Sequence, residues 1–338
     1  MKIKLFQCGG EHGKTKYPLG LGYLKTNCAG ADIEIVKSQK ELTNCDLIGL
    51  SSSAWGLKEA VGILESTNIP VVLGGQGVLW KPIEAYRFKH IIHGDGELAL
   101  QDIINGTEAR FICKKAENID DYNFPARGRY GDGVPIISSR GCPWNCAFCS
   151  SNAFWGKARY HSAEYFIREV QEIIQQYPKA NVLRVLDDLF IGNIKRFNEI
   201  YELWMSLELN KKLQIKSFVR SNLLTFDLAS KMKKMGFKRI RFGAESGSDK
   251  ILKILNKRAT VADHQRAIEI AQKTGIQISA SFMHGLPEET NEDRQMTHDF
   301  IQKNKGKLKV EGWYKFQPFP GTKFYDGTSP LKTDMRVR

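Results

Sequence analysis

The chain has 338 residues, 42% of them hydrophobic, and a formal net charge of +13 at pH 7 from 50 Lys and Arg against 37 Asp and Glu. That size and apolar share allow a large buried core and suggest two domains. No segment reaches the uninterrupted apolar length that spans a bilayer, and the start, Met1-Lys2-Ile3-Lys4-Leu5, leads into a strand rather than a signal peptide, so a cytoplasmic location is expected.

The seven cysteines do not read as a disulfide framework, because Cys8, Cys28, Cys45 and Cys113 are scattered as small buried residues would be. A reducing compartment is implied. The charge is uneven: residues 1–130 hold 16 basic against 15 acidic side chains, which leaves 34 against 22, or +12, for residues 131–338. Such a field favours an anionic partner, whether nucleic acid, nucleotide or phosphorylated metabolite. The plain alternative is a solvated helix surface of the kind Lys231, Lys233 and Lys234 would make.

In chain order, strands are expected at 3–6, 33–36, 47–51, 71–74 and 91–93, with helical stretches near 19–28, 57–65, 82–88 and 98–104. Alternating β and α with continuous apolar strands predicts a parallel sheet covered on both faces. Ligands of such sheets sit outside the carboxyl ends of the strands. The segments falling there carry Leu19 and Gly20, then Ser52, then Gly74 and Gly75, then Gly94. Glycine admits close approach of a ligand to the backbone, and it equally serves a tight turn. Residues 111–133, polar and broken by Pro125, Gly128, Gly131 and Gly133, read as a linker that lays the first domain across the mouth of the second.

The second half alternates again. Strands are expected at 135–139, 182–186, 213–219, 239–243, 276–284 and 310–317, and helices at 163–176, 194–207, 227–235, 249–255, 261–274 and 292–304. Directly after its first strand comes Arg140-Gly141-Cys142-Pro143-Trp144-Asn145-Cys146-Ala147-Phe148-Cys149. Three thiolates spaced C-x3-C-x2-C on one loop can hold three irons of a four-iron, four-sulfur cluster and leave the fourth open to a substrate. A zinc knot is the competing reading, but zinc usually takes four ligands in paired spacings, and no Cys or His falls between Cys149 and His161.

This spacing, with Phe148 before the third cysteine, resembles the signature of the radical S-adenosylmethionine (radical SAM) superfamily. The resemblance implies a [4Fe-4S] cluster on Cys142, Cys146 and Cys149 whose open iron chelates S-adenosylmethionine. One electron, from a donor such as flavodoxin or ferredoxin, would then cleave it to methionine and a 5'-deoxyadenosyl radical. Six βα units match the family's partial (β/α)6 TIM-type barrel, in which chemistry gathers at the carboxyl-terminal rim. The glycine-bearing loops of residues 1–110 resemble the cobalamin (vitamin B12)-binding-type Rossmann-like domain that precedes the barrel in one large subfamily. That makes Leu19, Gly20, Ser52, Gly74, Gly75 and Gly94 candidate cobalamin contacts. The cobalt-ligating Asp-x-His-x-x-Gly motif is absent, the corresponding loop reading Cys8-Gly9-Gly10-Glu11-His12-Gly13 with His12 as a loop histidine.

The resemblance assigns further rim positions to S-adenosylmethionine. Asp187-Asp188 would hold its amino group, a carboxylate being apt for charge-assisted hydrogen bonds, with a helix cap as the alternative. Arg220 would pair with its carboxylate, or else be a surface arginine. Glu245 and Ser246, in Phe242-Gly243-Ala244-Glu245-Ser246-Gly247, would reach the ribose or the methionine moiety, while Asp249 starts a helix. Backbone near Gly285 would meet the adenine, and His284 reads equally as a chamber acid or base and as a packed residue. The barrel is expected to run over 134–330, with a short basic tail at 331–338 carrying Lys332, Arg336 and Arg338. No appended nucleic-acid module is expected after it.

The leading functional reading is a radical SAM enzyme that abstracts hydrogen from a substrate the sequence does not name, with methyl transfer as the outcome if cobalamin is bound. Without cobalamin, rearrangement or cleavage of a nucleotide or nucleic acid is the alternative. A non-catalytic iron–sulfur or zinc nucleic-acid-binding protein is the reading from another class.

Overall fold

The computed structural model describes residues 1–9, 17–131 and 133–327. His12 and the basic tail with Lys332, Arg336 and Arg338 lie outside the described residues. Two units emerge: one built from 1–131, 153–159 and the stretch beginning at Phe319, the other from 132–152 and 160–318.

In the first unit the apolar runs become β1 (Lys2–Cys8), β2 (Asp32–Ile35), β3 (Leu47–Ser52), β4 (Val71–Gly74), β5 (His90–Gly94) and β6 (Phe111–Lys114). All pair in parallel, in the order β2-β1-β3-β4-β5-β6. Because successive side chains point to opposite faces, β1 sends Ile3 and Leu5 to one core and Phe6 and Cys8 to the other. Helices α1 (Leu19–Asn27) and α3 (Gly96–Ile104) cover the first core through Leu21, Ala99, Leu100 and Ile103. Helix α2 (Leu57–Glu65) covers the second with Leu57, Ala60 and Ile63. Chain direction across the sheet reverses between β1 and β3, and the crevice at such a switch point is where doubly wound sheets take ligands.

Two expectations fail here. Residues 82–88 do not form a helix: Lys81–Ala85 is a single 3-10 turn with Pro82 near its start. The stretch 111–133 is not all linker, because Phe111–Lys114 is the sheet's sixth strand. Only Ile112 of that strand is buried. An edge strand with polar outward residues carries too little apolar signal to stand out from a linker.

In the second unit, β7 (Gly133–Ile136), β8 (Val182–Val185), β9 (Gln214–Phe218), β10 (Phe237–Glu245), β11 (Gln277–His284) and β12 (Leu308–Lys315) pair in parallel and in strict sequence order. Parallel crossovers are right-handed, so a sheet whose strands always step the same way receives its connecting helices on one face. Those are α4 (Ala163–Gln176), α5 (Ile194–Ser206), α6 (Phe226–Met235), α7 (Asp249–Ile254), α8 (Val261–Thr274) and α9 (Asn291–Lys303). Leu183, Val185, Ile215, Ile240, Phe242, Ile278 and Phe282 bury that face.

Helix starts are chemically marked. Ser162 and Thr225 accept capping bonds from Tyr165 and Leu228, and Thr260 and Thr290 form full capping boxes with Asp263 and Asp293. Among the described residues no helix is long and apolar enough to cross a membrane.

Trp204 is fully buried on α5, and its indole N–H donates to Met235 O at 3.0 Å. Trp204→Ala should cost about 3–5 kcal/mol in denaturant unfolding of this unit. His264 is buried too, with Nδ1 2.7 Å from Ser221 Oγ and Nε2 3.1 Å from Ala244 O. Burial, then the Lys257 charge, lowers its pKa to about 4. The unfolded chain therefore binds the extra proton between about pH 6.5 and 4, and stability falls as pH drops through that window. His264→Gln should flatten this fall, measured by urea unfolding at stepped pH.

Candidate active site

The loop after β7 carries the three clustered cysteines and is tied down from outside itself. Gly141 turns it with φ +86°, a left-handed conformation suited to glycine. Cys149 N donates to Cys146 O at 3.1 Å, Ala147 N to Leu255 O at 2.9 Å, and Asn256 Nδ2 to Asn145 O at 2.6 Å. All three thiols are free: Cys146 buried, Cys142 half-buried and Cys149 exposed.

Desolvation pushes the Cys142 thiol up and that of Cys149 to about 11, and both rise further through the Asp188 carboxylate and their neighbouring cysteines. Cys149 keeps open surface, so this desolvation comes from the protein wrapped around its remaining sides. Such thiols stay protonated at neutral pH until a strong positive charge binds them.

Among the described residues no group of three or more His, Cys, Asp or Glu converges tightly enough to hold a single metal ion. A multi-iron cluster is held instead by thiolates spread over its separate irons. Three free, mutually interacting thiols on one anchored loop fit that donor set.

Arg220, just beyond β9, is buried rather than superficial. Its guanidinium donates to Cys146 Sγ at 3.3 Å and to Lys257 O, and lies 4.1 Å from the Trp144 ring centroid. The fork thus joins the cysteine loop to the Lys257 backbone.

The two aspartates after β8 separate in role. Asp187 is buried and accepts from Ser138 N at 2.6 Å, Ser138 Oγ at 2.5 Å and Ser139 N at 3.1 Å. Its oxygens thus fasten the end of β7. Asp188 is exposed, accepts from Ser151 Oγ at 2.5 Å, and acts electrostatically on Cys142 and Cys149. Desolvation by the surrounding protein raises its pKa, and the open carboxylate faces the cysteine loop's charge field.

At the end of β10 the ladder to β11 slips between Gly243 and Glu245, and Glu245 takes φ +66°. This bulge turns its carboxylate onto Lys257 Nζ at 2.7 Å, with both side chains at most a tenth exposed. Gly243 makes the room, since a Cβ there would collide with Glu245 Oε1. Lys257 Nζ also stands 5.5 Å from the centre of the Phe148 ring. Ser246, expected at the ribose or the methionine moiety, is fully buried: its hydroxyl lies 3.2 Å from Thr297 Oγ1 and accepts from Ser248 N at 3.1 Å.

Asp249 begins α7 and accepts from Val261 N at 2.7 Å. Gly285 is exposed, with φ +71° and open space where a Cβ would stand, and its N–H donates to Glu289 at 2.6 Å. The His284 ring packs edge-on to Trp313 at 6.1 Å.

In the first unit, Ser52 lies buried beside the switch point and donates to Ser53 O at 2.7 Å. Gly75, at φ +86°, packs so closely on the Ser52 backbone that a Cβ would clash with it. Gly74 has no such crowding. Leu19 is buried at the start of α1, while Gly20 is exposed with open space at its Cβ position. Gly94, at φ +102°, clears the Lys114 carbonyl. The adjoining Asp95 is wholly enclosed in an ion pair with Arg159, so this strand end is locked internally.

Sequence reasoning missed Asn256 and Lys257, which clamp the cysteine loop from the turn between α7 and α8. Asn256 and Arg258 both adopt positive φ, at 49° and 50°. An asparagine directly after an amphipathic helix was the available signal, because Asn tolerates that conformation better than most residues.

A model of the radical SAM superfamily matches residues 136–301. An uncharacterized methyltransferase of Pyrococcus horikoshii is 29% identical, the alignment covering 93% of this chain and 79% of that protein. The bacteriochlorophyllide d C-12(1)-methyltransferase of Chlorobaculum tepidum is 26% identical over 60% of this chain, which spans only 44% of that relative.

Among solved structures, the radical S-adenosylmethionine methyltransferase TsrM from Kitasatospora setae, with cobalamin and a [4Fe-4S] cluster bound, superposes with a TM-score of 0.75 at 15% identity. That match covers 95% of this chain and 73% of TsrM. The cobalamin-dependent enzyme OxsB gives 0.71 at 18% identity, over 89% of this chain and 51% of its own. These likenesses establish the two-sheet fold. The family match makes this chain a radical SAM enzyme whose radical SAM domain spans residues 136–301.

Proposed function

We propose that this chain is a radical SAM methyltransferase that binds cobalamin in its first unit. The observation that carries the reading is likeness of both units together: the fold match to TsrM runs over 95% of this chain, not over the barrel alone. Methyltransferases among the sequence relatives support the same reaction class. The crevice between the ends of β1 and β3, beside Ser52 and Gly75, is the place in a doubly wound sheet where a cofactor of this kind would bind.

When bound, the family's cluster and S-adenosylmethionine supply one-electron cleavage to methionine and a 5'-deoxyadenosyl radical, and cobalamin supplies a transferable methyl group. This chain's residues prepare the place. Cys142, Cys146 and Cys149 give the thiolates, and Arg220 presents positive charge to Cys146 while stacking on Trp144. Asp188 offers an open carboxylate for the ammonium of S-adenosylmethionine, and Gly285 leaves backbone uncovered for the adenine. Asp187 holds the base of the cysteine loop, and Lys257 with Glu245 braces it through Phe148.

Anaerobic purification followed by iron analysis, visible spectra and mass spectrometry tests the reading. Iron near four per chain, bound cobalamin, and release of methionine with 5'-deoxyadenosine on adding S-adenosylmethionine and dithionite are expected. Full iron loading without affinity for cobalamin would remove methyl transfer and leave other radical chemistry. Cys142→Ala, Cys146→Ala and Cys149→Ala should each lose the cluster absorbance.

The buried ion pair has its own test. Lys257→Met strands the Glu245 charge and should destabilise the apo protein by about 3–5 kcal/mol in urea unfolding. Adding Glu245→Gln to that variant should recover much of the loss.

A further inference from the structure

The face of the second sheet opposite its helices is as ordered as the rim above it. Register aligns Arg184 with Lys216 and Lys216 with Arg239, and one level higher aligns Phe218 with Arg241. Leu186 directly follows β8, its N–H donating to Ile136 O at 2.9 Å, and Asp188 lies two residues on, in the loop beyond the strand. The face therefore reads in levels: Arg184, Lys216 and Arg239 as a floor, with Phe218 and Arg241 above them and Leu186 just past the end of β8; the loops that carry Asp188 and Arg220 follow at the strand ends.

Leu186 is 54% exposed and Phe218 46%, high for large apolar side chains. Arg184, Lys216 and Arg241 are also exposed, as is Lys309 on β12, aligned with Ser279 and so with Arg241. Among the described residues none of these cations, nor Arg239, forms an ion pair.

The floor is held in place by its neighbours. Arg239 is fixed on Gln277 at 2.8 Å, and Arg241 lies over the Phe218 ring at 5.7 Å. Gly133 makes room for the Arg184 guanidinium, which a Cβ there would strike.

We propose that this face is the substrate seat, and that it takes a small amphiphilic anion. A carboxylate or phosphate would sit on Arg184, Lys216 and Arg239, an apolar body would cross Leu186 and Phe218, and the far end would reach the rim. The inference rests on the radical SAM reading above and adds the substrate class to it. With two residues rising about 6.6 Å, the floor lies about that far below the level of Phe218 and Arg241, and three neighbouring strands make it about 10 Å wide. That footprint is the size of one small molecule. A polynucleotide would use cations along an extended groove, whereas these are gathered below an apolar band.

Pyrene-1-butyrate, titrated into the full chain and followed by fluorescence, tests this against its uncharged analogue pyrene-1-butanol. Butyrate should bind more tightly. Arg184→Gln and Lys216→Gln should each weaken it about tenfold, as loss of a charge-assisted contact does, and leave the butanol unchanged. Lys216→Arg should restore binding. A pyrene alkyl phosphate run alongside shows which oxyanion the floor prefers, and the same charge dependence with either supports the inference.

Equal affinity for the neutral probe, or Gln variants that bind butyrate normally, would overturn it. So would displacement by a single-stranded oligonucleotide with a steep salt dependence. Iron and cobalamin are measured on the same samples. Failure of the charge dependence in loaded protein sinks the seat alone, and intact charge dependence in protein that never takes up a cluster sinks the earlier reading alone.

Discussion

Handedness is the constraint on which the second unit depends. Six parallel strands taken in sequence order, each joined by a right-handed crossover, can place their helices on one side only. Every strand then ends at the same edge. The cysteine loop, Asp188, Arg220 and Glu245 come from four different strand ends, far apart in the chain, and are brought to one rim by topology. In the first unit the same handedness, with one reversal of direction, covers both faces and opens a crevice instead.

Around the cysteine loop, buried charge is spent on position. Arg220 meets a thiol, a backbone carbonyl and an indole at once; Asp187 takes three bonds from Ser138 and Ser139; Lys257 meets Glu245 and the Phe148 ring. Each would be costly to leave unpaired. The outcome is a loop fixed by three elements beyond its own, holding thiols that remain inert until a positive centre arrives.

Much of this was legible in the sequence because it depends on period and spacing. The C-x3-C-x2-C run, the alternation of strand and helix, and the ends of α4 and α8 follow from local pattern. What was not legible depends on where a side chain turns. Asp187 and Asp188 are adjacent and chemically identical, yet one is sealed by Ser138 and Ser139, 49 and 48 residues away, and the other is open. The contact of Ser246 with Thr297 joins residues 51 apart, which no local pattern announces. Lys257 could not be ranked among many lysines without its partner. β6 escaped notice because an edge needs little apolar surface.

The bulge at the end of β10 carries an implication for how this site can change over time. By admitting one extra residue, it separates the strand's parity below Gly243 from its parity above. Substitutions in the lower half, at Arg239 and Arg241, can alter what the sheet face greets without altering which way Glu245 points. One strand thus carries two independently variable modules, so this barrel can exchange one molecular recognition for another while the apparatus at its edge stays as it is.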